Sequence, residues 1–210
     1  MNEPYIVLTK GGTAETELKK SRFIANVAVA NTREEAEAFI ESIRKKYYDA
    51  RHNCYAYVCG KDGSEVKFSD DGEPSQTAGL PMYSVISKSG IRNVVVVVTR
   101  YFGGTLLGAG PLSGMYTEAT ALGLKASETA VMKYGVTADV KADYSEAEKI
   151  RRLFENENVS ILSTDYSDKV IFSFATDFEK YEATVEKIIS LSAGKALVEK
   201  TGEQYFKAGE

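Results

Sequence analysis

The apolar positions of this chain change their period along its length, and each period marks an element. The run Val94 to Val98 is five consecutive valines. β-Branched side chains favour extended backbone, and a run without polar alternates has no face to give to water. It therefore predicts a central strand buried on both sides. Thr99 and Arg100 end that run, Tyr101 and Phe102 follow, and a loop holding Gly103, Gly104, Gly108 and Gly110 comes next. Pro111 suits the first turn of a helix, where its missing N–H costs nothing. Leu112, Met115, Ala119, Leu122 and Ala126 then recur at helical spacing. The unit reads strand, glycine loop, helix.

Upstream, Tyr5 to Leu8 reads as a short edge strand before a Gly11-Gly12 turn. Phe23 to Ala30 alternates as a half-buried strand, introduced by the basic residues Lys19, Lys20 and Arg22. Thr32 and Glu35 form a capping-box pattern. The helix it opens carries Ala36, Phe39, Ile40, Ile43 and Tyr47 on one stripe, with Arg44, Lys45 and Lys46 at its negative end. Asn53 to Cys59 and Val66 to Phe68 make a hairpin about a turn at Lys61-Asp62-Gly63-Ser64. Ser69 to Pro81 is a long polar loop, and Ser84 to Lys88 a short helix or turn. Downstream, Met132 to Val140 alternates as a strand. A helix capped by Asp143 and Glu146 bears Tyr144, Ala147, Ile150, Leu153 and Phe154. Ser160 to Tyr166 and Val170 to Thr176 form a hairpin around Ser167-Asp168. Phe178 to Leu191 is a helix with Phe178, Tyr181, Val185, Ile188 and Ile189 on one face, and Ala196 to Thr201 closes as a strand. The order β-α-β-β-α-β is ferredoxin-like. The chain is thus predicted to be α+β with two domains, 1–130 and 131–210.

Composition changes the picture little. At 43% apolar and 27% charged, with a net charge of -4, the chain is an ordinary globular one. Fifteen basic and fifteen acidic residues precede the boundary, so any contact with nucleic acid must come from a local patch. No apolar run approaches the ~18 residues of a membrane span. A soluble, cytoplasmic protein is expected, with no membrane partner. Cys54 and Cys59 have opposite parity in one strand and should not bridge each other. A single histidine, His52, leaves no zinc set.

The chemical candidates gather near the valine strand. The glycine loop and the helix it opens place backbone N–H groups and a positive dipole end beside Arg100, which suits an anion such as phosphate. The alternative is a sharp turn packed against the sheet. Tyr101 and Phe102 add aromatic rings of the kind nucleic-acid surfaces use. His52 and Cys54 share a strand face and could form a nucleophile pair, or the thiol could be core filling. Asp70, Asp71 and Glu73 could hold a hard cation or simply form turns. Glu73 precedes Pro74 and is held extended.

Four motifs in order, KSRF at Lys20 to Phe23, HNCYAY at His52 to Tyr57, DDGEPSQTAGLP at Asp70 to Pro81 and VVTRYFGGTLLGAG at Val97 to Gly110, resemble the bacterial, YigZ-type branch of the IMPACT family. The resemblance implies a first domain like domain IV of elongation factor G and one domain of a small-subunit ribosomal protein. It also implies a second, ferredoxin-like domain like domain V of that factor. Eukaryotic relatives are linked to translational control, in competition for a partner of a kinase that phosphorylates an initiation factor. The chain departs from the family at GAGPLSG, where Gly114 stands in place of a usual arginine. The expectation is a non-catalytic protein without cofactor or metal that binds RNA or a ribosome-associated protein in translational regulation. Arg51, His52, Arg100, Tyr101, Gly103 and Gly104 would make phosphate and stacking contacts. Asp70, Asp71, Glu73 and Thr77 would shape the loop at the rim. The rivals are a hydrolytic or metal-assisted enzyme near Cys54, Asp70 and Arg100, and a protein-interaction module anchored by Tyr101 and Phe102.

Overall fold

A computed structural model describes residues 2–60 and 62–208. The chain divides into two compact units, Tyr5–Ala130, and Val131–Glu210 with Met1–Pro4. The first unit runs β1 (Tyr5–Lys10), β2 (Thr13–Leu18), β3 (Ser21–Val29), α1 (Arg33–Lys46), β4 (His52–Cys59), β5 (Glu65–Ser69), α2 (Gly79–Ser89), β6 (Ile91–Arg92), β7 (Val94–Tyr101) and α3 (Ala109–Lys125).

The valine run sits in β7, the middle of an antiparallel sheet ordered β2-β3-β7-β4-β5. Strand alternation divides it between two cores. Val94, Val96 and Val98 pack with Met82 and Ile86 of α2 and Leu112, Met115 and Tyr116 of α3. Val95 and Val97 pack with Ala36, Ile40 and Ile43 of α1 on the other face. All five are fully buried, each contributing about 1.5–3 kcal/mol of apolar burial. Cys54 and Cys59 fall in the two opposite cores as free thiols, as their parity predicts.

The structure adds to and corrects the sequence-based elements. β2 was not expected; its residues alternate exposed and half-buried, so no apolar run announces it. It meets β3 through a two-residue turn, Lys19-Lys20, with φ of 48° and 64°, the backbone that right-handed hairpins favour. Thr32 caps α1, with the Glu35 N–H donating to its Oγ1 at 3.3 Å. The Glu35 carboxylate reaches back to the N–H of Asn31 at 2.7 Å, one residue before the cap. In the β4–β5 turn, Gly63 N–H donates to Gly60 O at 3.0 Å, whereas Lys61 lies outside the described residues. The long loop ends at Ala78, because α2 starts at Gly79 and holds Pro81 in its first turn. On α3 the buried face is Leu112, Met115, Tyr116, Ala119, Thr120, Gly123 and Leu124. Leu122 is half-buried and Ala126 is exposed at the C-cap.

The second unit contains most of β8 (Glu128–Ala142), which begins three residues before the boundary, with α4 (Tyr144–Asn156), β9 (Ser160–Tyr166), β10 (Val170–Thr176), α5 (Phe178–Leu191) and β11 (Leu197–Lys207). The strands lie in the order β11-β8-β10-β9, all antiparallel, the ferredoxin-like arrangement. Its core joins Val140, Phe172 and Phe174 of the sheet to Ile150 and Phe154 of α4 and Ile188 of α5. Tyr144, Phe178 and Ile189 of the expected helix stripes are exposed. Asp143 occupies the N-cap without capping; its carboxylate pairs with Lys169 at 3.1 Å.

Candidate functional site

The loop from Asp70 to Ala78 positions most of the site, and it does so with its acids turned inward. Asp70 accepts from the N–H of Gln76 (2.8 Å) through Oδ2 and from Ala78 (2.9 Å) and Gly79 (2.8 Å) through Oδ1. This satisfies the first donors of α2, which its own N-cap, Ala78, does not. Asp71 accepts from Asn53 N–H at 2.7 Å and from Arg44 at 2.9 Å. Its backbone carbonyl lies 2.9 Å from Nδ1 of His52. A carbonyl only accepts, so the hydrogen-bond geometry places a proton on Nδ1 and makes it the donor in this contact. Thr77 Oγ1 donates to Pro74 O at 2.6 Å and closes the loop on itself.

Glu73 is the innermost acid, 8% exposed. It accepts from Nη1 of Arg100 at 2.7 and 3.0 Å and from the Tyr116 hydroxyl at 2.8 Å. Arg100 therefore pins the loop through Glu73. Arg100 is itself 7% exposed. Its guanidinium carbon lies 5.5 Å from the ring centre of Phe23 and 5.7 Å from that of Phe102. Its Nε–H is buried with no acceptor, a cost of about 1–3 kcal/mol or more for a charged group.

These groups border a cavity of about 430 Å³. Arg51, His52, Glu73 and Arg100 supply its polar wall. Phe102, Leu106, Leu107 and Leu112 supply the apolar one, and Gly108 and Ala109 bring the start of α3 to its edge. Gly108, the N-cap of α3, has φ 81° and ψ 160°, no side chain caps this end, and the first turn has no acid. A second depression of about 450 Å³ beside Leu80 and Ser113 has Lys88 as its single cation and no buried polar residue. The chemistry gathers at the first.

Arg51, His52, Arg100 and Glu73 thus come together, whereas the other named residues do not line the cavity. Tyr101 follows Arg100 on the strand, and its hydroxyl donates to Asp49 at 2.7 Å. Gly103 serves packing: a Cβ there would stand 2.1 Å from the carbonyl carbon of Lys20, and its N–H donates to Ser21 Oγ at 3.0 Å. Gly104, at φ 87°, shapes the turn. Asp70 and Thr77 hold the loop, and Asp71 supports His52 from behind. Gly114 is exposed on α3, and a Cβ there would meet nothing within 4 Å.

Pro74, Leu106 and Leu107 were not foreseen as lining residues. The available signal was the Leu106-Leu107 pair, apolar residues in a glycine-rich loop with no helix or strand to claim them; Leu106 is 85% exposed and Leu107 buried. Cys54 is fully buried, with Sγ within reach of Asp70 O (2.9 Å) and the Tyr116 hydroxyl (3.3 Å). Burial pushes its thiol well above the ordinary range, which disfavours the thiolate a nucleophile needs. Among the described residues no three His, Cys, Asp or Glu side chains are grouped to hold a metal ion.

Fold and site together define a two-unit α+β protein whose first unit carries a cation-lined cavity. Residues 19–124 match the Impact N-terminal domain, and residues 140–195 match a domain of unknown function, DUF1949. The chain is 36% identical over 203 residues to the IMPACT family member YvyE of Bacillus subtilis, covering 97% of this chain and 93% of that protein. It is 34% identical over 194 residues to the IMPACT family member YigZ of Escherichia coli, covering 91% and 95%. A crystal structure described as a hypothetical protein superposes with a TM-score of 0.60 at 32% identity, covering 94% of this chain and 97% of that one. The chain belongs to the IMPACT family, as a two-domain bacterial-type member. Among the described residues no helix is long and apolar enough to cross a membrane.

Proposed function

We propose that the first unit binds RNA, free or displayed on the ribosome, through the cavity beside α3, and that the protein acts in translational regulation by binding rather than by catalysis. The observation that carries this reading is the convergence of Arg51, His52, Arg100 and the uncapped start of α3 on one cavity with Phe102 and Leu106 exposed at its rim. Cations and helix-start donors suit phosphate, while an exposed aromatic ring and an aliphatic side chain suit bases. On this reading the first unit is the counterpart of domain IV of elongation factor G and the second of its domain V.

Salt dependence tests it. Arg51 is exposed, so Arg51→Ala should leave the fold intact. It should weaken binding of single-stranded RNA at every sequence tried and reduce the slope of log K against log salt by about 0.7, one phosphate contact. An unchanged slope means Arg51 touches no phosphate. A pull-down from lysate with and without nuclease identifies the partner class. Capture of the same protein after nuclease treatment would assign a protein partner and overturn the RNA reading.

A further inference from the structure

We infer, in a step that rests on the RNA reading above, that the RNA is an unpaired strand that crosses the end of the sheet over Phe102 and is held again by the hairpin turn Lys19-Lys20. Lys19 and Lys20 are exposed, and among the described residues neither makes an ion pair. The acids of β2 fall to Arg22 instead. Glu15 is bonded to it at 2.7 and 3.1 Å, and Glu17 stands opposite it in register. Both lysines have positive φ, 48° and 64°. A residue with a Cβ occupies that region at a cost, and Asn-Gly is the pair that such turns favour. Strain held in a surface turn points to a use for its side chains. Two adjacent ammonium groups that no acid of the fold neutralises suit an anion from outside.

The turn is fixed against the glycine loop. Ser21, which follows it, is fully buried and accepts from the Gly103 N–H at 3.0 Å. A Cβ on Gly103 would stand 2.1 Å from the Lys20 carbonyl carbon and 2.5 Å from the Lys19 oxygen, so the two segments meet backbone to backbone. Phe102, 51% exposed, is one residue from that contact. Arg22 pairs with Tyr101 and His52 with Arg100, so β3, β7 and β4 lie side by side at this end of the sheet. Taken across it, Lys20 precedes β3, Phe102 follows β7, and Arg51 precedes β4. Neighbouring strands lie about 4.7–4.9 Å apart, which puts the backbones of Lys20 and Arg51 ~10 Å apart with Phe102 on the strand between them. Cation, ring, cation is the order an unpaired strand fits, its phosphates at the flanks and a base free to lie on the ring. A duplex keeps its bases stacked inside and leaves the ring without a partner.

Lys19→Asn/Lys20→Gly tests this on the full chain, because it installs the favoured turn while removing both charges. The variant should melt no lower than the wild type. For a single-stranded RNA of about ten nucleotides, its slope of log K against log salt should be shallower by about 1.4, two phosphate contacts. Lys19→Arg/Lys20→Arg should keep the wild-type slope. So should Lys88→Gln/Lys125→Gln, which removes the same charge at the C-terminal ends of α2 and α3. The wild type should bind the single strand at least about fivefold tighter than the same strand annealed to its complement, the value of one base–ring stack. An unchanged slope in folded Lys19→Asn/Lys20→Gly protein overturns the inference and leaves RNA binding standing, as does an equal loss of slope in the Lys88→Gln/Lys125→Gln variant. Equal or tighter binding of the duplex overturns the unpaired strand. No binding of either RNA by the wild type overturns both the inference and the RNA reading.

Discussion

The helices α2 and α3 begin alike and end up doing different work. Gly79-Leu80-Pro81 opens one and Ala109-Gly110-Pro111 the other, so each has a glycine in its first two positions and a proline at its third. Neither N-cap residue, Ala78 or Gly108, bonds the first turn through a side chain, and neither first turn holds an acid. The difference comes from the loop between β5 and α2. It sends the Asp70 carboxylate to the N–H groups of Ala78 and Gly79. Towards α3 it sends Glu73, which meets the Arg100 side chain rather than the backbone. One helix start has its anion built into the fold, whereas the other presents donors to a cavity. A helix N-terminus favours negative charge wherever it occurs. It becomes a binding feature when the chain supplies no anion of its own.

The comparison is most severely tested at Glu73. Glu73→Ala leaves Arg100 buried without its carboxylate and the Tyr116 hydroxyl without its acceptor. Removing one partner of a buried pair costs about 3–5 kcal/mol, read as a lower urea midpoint or melting temperature. Glu73→Gln keeps an acceptor for both groups and should lose less. A loss below about 1 kcal/mol for the alanine variant would mean that Arg100 is hydrated once its carboxylate is gone.

Asp70 comes next. Asp70→Ala deprives three N–H groups of a charged acceptor and uncaps α2, for about 2–3 kcal/mol. Asp70→Asn, with one carbonyl oxygen left, should fall between alanine and wild type. If Asp70→Ala is neutral, α2 starts as well without its anion as α3 does, and the distinction between the two helices disappears.

Asp70 also shows what the sequence could and could not disclose. The valine strand was legible because five β-branched residues without a polar alternate admit few other readings. The hairpin from Ser160 to Thr176 and the span of α5 follow from period and turn residues in the same way. The start of α2 was not legible. Its cap comes from a residue eight and nine positions upstream, and a helix-start pattern looks only at the residue adjoining the helix. The site was half legible. His52 faces Arg100 in register on paired strands, and Arg51 immediately precedes His52. Tyr101 lies off the cavity because one step along a strand turns a side chain to the other face. Tyr116 falls on the helix stripe between Met115 and Ala119, but only the fold reveals that it reaches Glu73 and Cys54.

The smallest predicted effect is the most direct test, because it makes α3 resemble α2. Gly110 is exposed in the first turn of α3, and a Cβ there would meet nothing within 4 Å. Gly110→Glu places a carboxylate where Asp70 places one for α2. The helix should gain about 0.5–1 kcal/mol from replacing glycine and about 0.3–1 kcal/mol from the charge at the dipole's positive end. The same carboxylate competes with a ligand phosphate, so RNA affinity should fall several-fold while the melting temperature rises. Gly110→Gln separates the two contributions, since it matches glutamate in size and helix preference without the charge. The Glu–Gln difference in stability reads the dipole alone, and the difference in RNA affinity reads how far α3's donors serve the ligand. If the two variants bind RNA equally, the start of α3 is not where the anion rests, and Arg51 and Arg100 must hold it from the opposite wall.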